Sequence, residues 1–181
     1  DMEFTAVDKN LKNGANMGSI AQYIYFAKYE DVETWPTRPA NPTTIEENGV
    51  LTGELVMKST KQMFPLYLTD DTGEFKIEMV GETDGKSYVL RVSLFHPGLK
   101  TKILGFLHYA KNENLVIIAR DNDDQLYLLG DEVRPAIFTG SPDGAGTGKE
   151  TAGRRGVSME FSFKSANVYV YTGSVPLTPA L

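Results

Sequence analysis

The sequence predicts a mainly β protein: a β-sandwich or barrel of short strands with one α-helix and a long protruding hairpin arm. Three observations carry that reading. Apolar and polar residues alternate with period two in many short runs, one stretch shifts to helical spacing, and two long segments show no period at all. The length of 181 residues fits a single domain, 1–181, and 41% hydrophobic residues suffice for a buried core.

In chain order, 23–27 is the first strand candidate. Residues 30–49 hold Pro36, Pro39 and Pro42 around the sole Trp35 and read as a Pro-rich loop. Over 51–58, Leu51, Gly53, Leu55 and Met57 take one face and Thr52, Glu54, Val56 and Lys58 the other, as in a half-buried strand. A strand at 64–68 follows. Next, Phe75, Ile77 and Met79 alternate with Glu74, Lys76 and Glu78, and Tyr88, Leu90, Val92 and Leu94 alternate with Val89, Arg91 and Ser93. Between a Pro97-Gly98 turn and an Asn112-Glu113-Asn114 stop, Leu99, Ile103, Leu104, Leu107 and Ala110 fall near helical spacing, which predicts a helix over 99–111. Gly105 costs that helix about 1 kcal/mol. Strands at 115–120, 125–129, 136–139 and 168–171 complete the minor candidates. The strongest alternation is at 157–164, where Val157, Met159, Phe161 and Phe163 are expected to point inward. The segment 140–155, with five glycines beside Lys149, Arg154 and Arg155, joins two strands and reads as an extended arm.

The composition excludes several functions. With 24 acidic against 18 basic residues the net charge is -6, which opposes tight binding to nucleic-acid phosphates. The absence of cysteine removes disulfides, thiol catalysis and Cys-ligated metals, and two histidines cannot make a His-rich metal site. No run approaches the roughly 20 apolar residues that cross a bilayer as a helix. The opening Asp1-Met2-Glu3-Phe4 lacks the basic and apolar regions of a signal peptide, so synthesis in the cytoplasm is expected; an added Asp1 would leave Met2 as the natural start.

Local motifs fail on inspection. Gly146-Thr147-Gly148-Lys149 has Asp143 where a phosphate loop needs its first glycine, and Glu150 where it needs Ser or Thr. Asp121, Asp123, Gln125 and Glu132 occupy calcium-loop positions, but Leu126 stands where the loop requires glycine, and apolar runs on both sides mark a hairpin turn instead. No Gly-x-Ser-x-Gly elbow occurs, and His96 before Pro97 reads as a turn residue. We therefore expect no enzyme, cofactor or metal. Tyr23, Tyr25, Tyr29 and Trp35 suit either a sugar-stacking platform, as in a carbohydrate-binding sandwich, or core packing.

The order of elements, together with Val80-Gly81-Glu82, Phe95-His96-Pro97-Gly98, Gly105-Phe106, the stretch from Lys111 to Ile118, Tyr127-Leu128-Leu129-Gly130 and Tyr171-Thr172-Gly173, resembles the tail tube (major tail) proteins of long-tailed bacteriophages and related prophages. The resemblance spans roughly residues 18–173. It implies a β-sandwich that self-assembles into rings, commonly hexameric, stacked around a channel that passes DNA without binding it specifically. It also implies neighbouring virion proteins as partners and a place in the virion tail, after synthesis in the bacterial host cytoplasm. Other phage head, neck or decoration proteins share this texture. An acidic balance suits such a lumen, because it repels phosphate. On this reading Asp121, Asp123 and Asp124, with Asp131 and Glu132 nearby, are candidates to meet Lys149, Arg154 and Arg155 of the next subunit.

Overall fold

The structure, a computed structural model, describes residues 2–8, 16–141 and 143–181; Asp1, residues 9–15 and Pro142 of the expected arm lie outside the described residues. The chain runs through β1 (Ile20–Lys28), a 3-10 turn (Tyr29–Asp31), β2 (Val32–Thr34), α1 (Ile45–Asn48), β3 (Val56–Met57), β4 (Phe64–Tyr67), β5 (Glu74–Val80), β6 (Ser87–Pro97) and α2 (Thr101–Ala110). It continues through β7 (Leu115–Asp121), β8 (Leu126–Leu129), β9 (Ile137–Phe138), β10 (Ala145–Gly146) and β11 (Gly156–Ser165). The mainly β, sandwich-like class is as the alternation predicts.

Two antiparallel sheets dominate. The first has the order β4-β1-β7-β8; the second has β10-β11-β6-β5, with β9 also on β11. Between them lies a core to which the first sheet gives Ile24, Leu66, Ile117 and Leu129, and the second gives Leu90, Val92, Met159, Phe161 and Phe163. The alternation at 157–164 thus points inward as expected. α2 closes one side with Ile103 and Ala110, while Phe106 sets its ring 5.0 Å from that of Phe26.

A second core occupies the opposite face of the first sheet. There Ala27, Val116, Ile118 and Leu128 pack under Val32, Leu51, Leu55, Met57, Met63 and Tyr171. β7 is therefore buried on both faces, which explains why Leu115 to Ala119 is an uninterrupted apolar run and does not alternate. The covering layer has little regular structure and is pinned by Tyr171. Its hydroxyl accepts a hydrogen bond from the Leu55 amide at 2.9 Å and donates to the Ser174 carbonyl at 2.7 Å. Its amide donates to the Leu126 carbonyl at 3.0 Å.

Several elements differ from the sequence expectation. The strand expected at 51–58 shrinks to β3, because Gly53 takes φ +92° and breaks the extended run, although Leu51, Leu55 and Met57 still point inward. Residues 168–171 make isolated bridges, Val170 to Val50 and Tyr171 to Leu126, and form no strand. A second helix, α1, lies inside the Pro-rich segment and is capped by Thr44, whose hydroxyl accepts from the Glu47 amide at 3.2 Å. On α2 Leu104 is exposed and Phe106 takes part in packing instead. The arm begins as a hairpin folded on the body, with Ala145 paired to Val157 and Gly146 to Gly156. Gly156 cannot be replaced there without movement, since a Cβ would stand 2.3 Å from the His96 carbonyl oxygen.

Truncating Phe161, which is fully buried with its ring 5.3 Å from Phe138, should cost about 3–5 kcal/mol in urea unfolding of Phe161→Ala. A loss below about 1 kcal/mol would show that this face is not core. Burial raises the Tyr171 pKa above the ordinary tyrosine value of 10.0, so its contribution is present below pH 10 and is lost as pH rises from there through the higher folded value. Tyr171→Phe should lower stability at neutral pH and flatten the alkaline decline of the melting temperature; an unchanged alkaline slope would count against this account.

Candidate assembly surface

β5 is the edge of the second sheet, joined to β6 by a turn in which Gly81 takes φ +101°. Its register sets Phe75 against Val92, Ile77 against Leu90 and Met79 against Tyr88, so these three side chains share the inward face. Among the described residues only Phe75 of the three is covered by the first sheet. Its ring stacks on Tyr127 of β8 at 4.1 Å and 15°, where the first sheet ends. Beyond that stack Ile77 is 44% exposed, Met79 59% and Val80 37%. Among the described residues no strand pairs with the outer side of β5. On the opposite face Glu78 meets Lys76 at 3.0 Å and the Arg91 Nε at 3.2 Å. These hydrogen bonds, from Lys76 first and then Arg91, hold the Glu78 carboxyl below its ordinary range.

A second uncovered surface lies across the molecule's other sheet edge. Tyr23, Phe26, Tyr67, Ile103 and Phe106 line an apolar groove of about 410 Å³ between β4 and α2, with His96, Lys100 and Lys102 also at its walls. Tyr23 and Tyr67 meet edge to face at 5.5 Å, and Phe64 beside them is half exposed. His96 sets its Nδ1 2.8 Å from the Tyr67 carbonyl, which fixes the ring at the mouth.

The acids of the hairpin make contacts within the subunit. Asp121 accepts hydrogen bonds from the amides of Asp123 and Gln125, both at 2.9 Å, and from the Tyr127 hydroxyl at 3.0 Å. Burial and this bond to Asp121 raise the Tyr127 pKa. Asp123 accepts from the Met17 amide, Asp124 pairs with Arg120 at 3.3 Å, and Asp131 pairs with Arg38. The acids thus fold the β7–β8 turn and tie it to neighbouring segments. Arg154 lies over the Phe95 ring at 4.5 Å, and the Arg155 carbonyl accepts from the Gly98 amide at 2.8 Å. Among the described residues neither arginine pairs with a carboxylate, and Lys149 is exposed in the loop after β10.

The four aromatic residues suited to sugar stacking are divided. Tyr29 and Trp35 pack ring to ring at 5.2 Å, Tyr25 is half-buried against the same core, and Tyr23 stands apart beside Tyr67. Among the described residues no group of three or more His, Asp or Glu side chains is placed to hold a metal ion, and no helix is long and apolar enough to cross a membrane. Comparison with known proteins finds no matching family model, curated protein or solved structure.

The alternation over 74–79 predicts one face on a core and the other in water or on a partner. Nothing local distinguishes an apolar stripe under a second sheet from one that runs past it. Replacing Asp121 by Ala should cost about 1–3 kcal/mol, because two amides and a hydroxyl lose a charged acceptor. Asp124→Ala, which removes a surface ion pair, should cost under about 1 kcal/mol. Equal losses in thermal or urea unfolding would show that Asp121 does not organise the turn.

Proposed function

We propose that the chain is a structural subunit that assembles with copies of itself, and that the assembly is a virion tail tube of stacked rings around a DNA channel. The observation that carries this reading is a pair of unlike, uncovered apolar surfaces on one subunit, the β5 edge and the β4–α2 groove. A contact between unlike surfaces is heterologous and generates rings where its rotation closes, whereas a contact between like surfaces stops at two. Exposed apolar patches of this kind mark interaction sites. The sandwich-like fold supports the resemblance to tail tube proteins, although a fold hosts many functions and the surfaces carry the argument. The net charge of -6 supports a channel that passes DNA without holding it. Assembly occurs after synthesis in the bacterial host cytoplasm, and neighbouring virion proteins cap the tube.

Electron microscopy of the concentrated purified protein should show rings and short tubes, and a monodisperse single subunit at every concentration would overturn the reading. The loop after β10 is the candidate stacking contact. Excising residues 149–152 joins Gly148 to Gly153, whose Cα lies 4.0 Å or less from a Cβ built on Gly148. That variant should keep its melting temperature and form rings that no longer stack. Tubes of normal length would remove the loop from the contact.

A further inference from the structure

We propose that in the unassembled protein two copies of this chain pair through β5, antiparallel, about a two-fold axis passing beside Ile77. β5 reads Glu74-Phe75-Lys76-Ile77-Glu78-Met79-Val80, with Phe75, Ile77 and Met79 on the inward face and the alternating charges Glu74, Lys76 and Glu78, followed by Val80, on the outward one. When a strand pairs antiparallel with its own copy, directly opposed residues share a face of the sheet. The axis must therefore pass beside a residue; between two residues it would set apolar side chains against charged ones.

Five interior centres, from Phe75 to Met79, keep the faces matched over β5, and centring on Met79 leaves Phe75, Lys76 and Ile77 beyond the overlap. Centring on Lys76 opposes Lys76 to Lys76 and, on both sides of the axis, Glu74 to Glu78, three like-charge contacts. Centring on Glu78 opposes Glu78 to Glu78. Centring on Phe75 sets Lys76 against Glu74 but leaves Met79 beyond the overlap. Centring on Ile77 sets Lys76 against the second copy's Glu78 on both sides of the axis, Phe75 against Met79, and Ile77 against Ile77. Opposed charges on neighbouring strands stabilise and like charges destabilise, so the alternation selects one register. The same register covers the two most exposed apolar side chains of the strand, Ile77 and Met79. Charge complementarity with itself is what identifies the occupant as a second copy.

The pair goes beyond the ring reading and stands without it. It is a closed contact: both edges are used and no third copy can add, so it caps an edge that would otherwise template open-ended strand addition. Its use as a stored form does rest on the ring reading, because the pair occupies one of the two surfaces that a ring needs.

The chain has no cysteine, so single cysteines report the register in the full-length protein. At the Ile77 centre the two Cα atoms of Ile77→Cys lie about 4.5–5.5 Å apart, within disulfide reach, while Lys76→Cys and Glu78→Cys meet their own copies only diagonally at about 7–8 Å. Mild oxidation should cross-link Ile77→Cys at least about tenfold faster than either neighbour. Equal rates, or fastest cross-linking at position 76 or 78, would overturn the proposal. Sedimentation gives an independent reading that needs no cysteine. The wild type should sediment as a dimer and Lys76→Glu as a monomer, and the exchange Lys76→Glu with Glu78→Lys should restore the dimer. In the exchanged protein the new carboxylate still faces Arg91 across the β5–β6 register, so the fold keeps an ion pair. A monomeric wild type, or an exchange that fails to restore pairing while keeping its melting temperature, would overturn the proposal. A dimer without rings in electron micrographs sinks the tube reading alone; rings without Ile77→Cys cross-linking sink the pair alone.

Discussion

Everything in this fold is arranged around the burial of β7 on both faces. Leu115, Ile117 and Ala119 belong to the core shared with the second sheet, and Val116 and Ile118 to the core beneath the covering layer. A strand with no polar face must be enclosed from both sides, and its backbone groups must pair within the sheet. β1 supplies the pairing from Leu115 to Ala119 and again at Asp121, and β8 supplies it from Ile117 to Arg120. The enclosure needs two separate layers, one regular and one not. That requirement sets the roles of the remaining segments.

The regular layer is the second sheet, whose long strands β6 and β11 pair over ten positions and carry the inward residues Leu90, Val92, Met159 and Phe161. The irregular layer uses segments far apart in sequence, around residues 32–35, 50–63 and 169–180. Such segments lack a ladder of their own, so their amides need particular partners, because an unpaired buried amide is costly. Tyr171 answers two of these needs with one hydroxyl, joining Leu55 to Ser174 inside an apolar setting. The Leu51 amide pairs with the Val170 carbonyl and the Met63 amide with the Pro176 carbonyl, which closes the layer over β7.

Legibility from sequence follows the same division. Strands with one wet face show their alternation, so β6 and β11 and the inward residues Phe161 and Phe163 were readable from period alone. α2 was readable from its change of spacing. The covering layer was not, because Leu51, Leu55 and Met57 fit an alternating strand perfectly well and only the positive φ at Gly53 reveals that the chain turns there. The acidic turn shows a different limit. Its charge density was visible, but whether Asp121 serves a neighbouring molecule or its own backbone depends on where the amides of Asp123 and Gln125 point, which composition does not encode. The two uncovered surfaces were hidden for a third reason, since exposure of Ile77 depends on where the other sheet stops.

Coverage of the two sheets is uneven, and this unevenness carries the argument for a partner. The first sheet has both faces covered, at the expense of ordering long aperiodic segments. The second sheet presents Glu74, Lys76, Glu78, Arg91, Ser93 and Glu160 outward, a face that water satisfies. Its inward face is apolar across β11 and β6 and remains apolar along β5 past Phe75, where Tyr127 ends the cover. A monomer with the same fold would gain solubility from polar residues at positions 77 and 79, where no packing partner in the chain demands Ile or Met. Their apolar character supports the assembly proposed for this subunit.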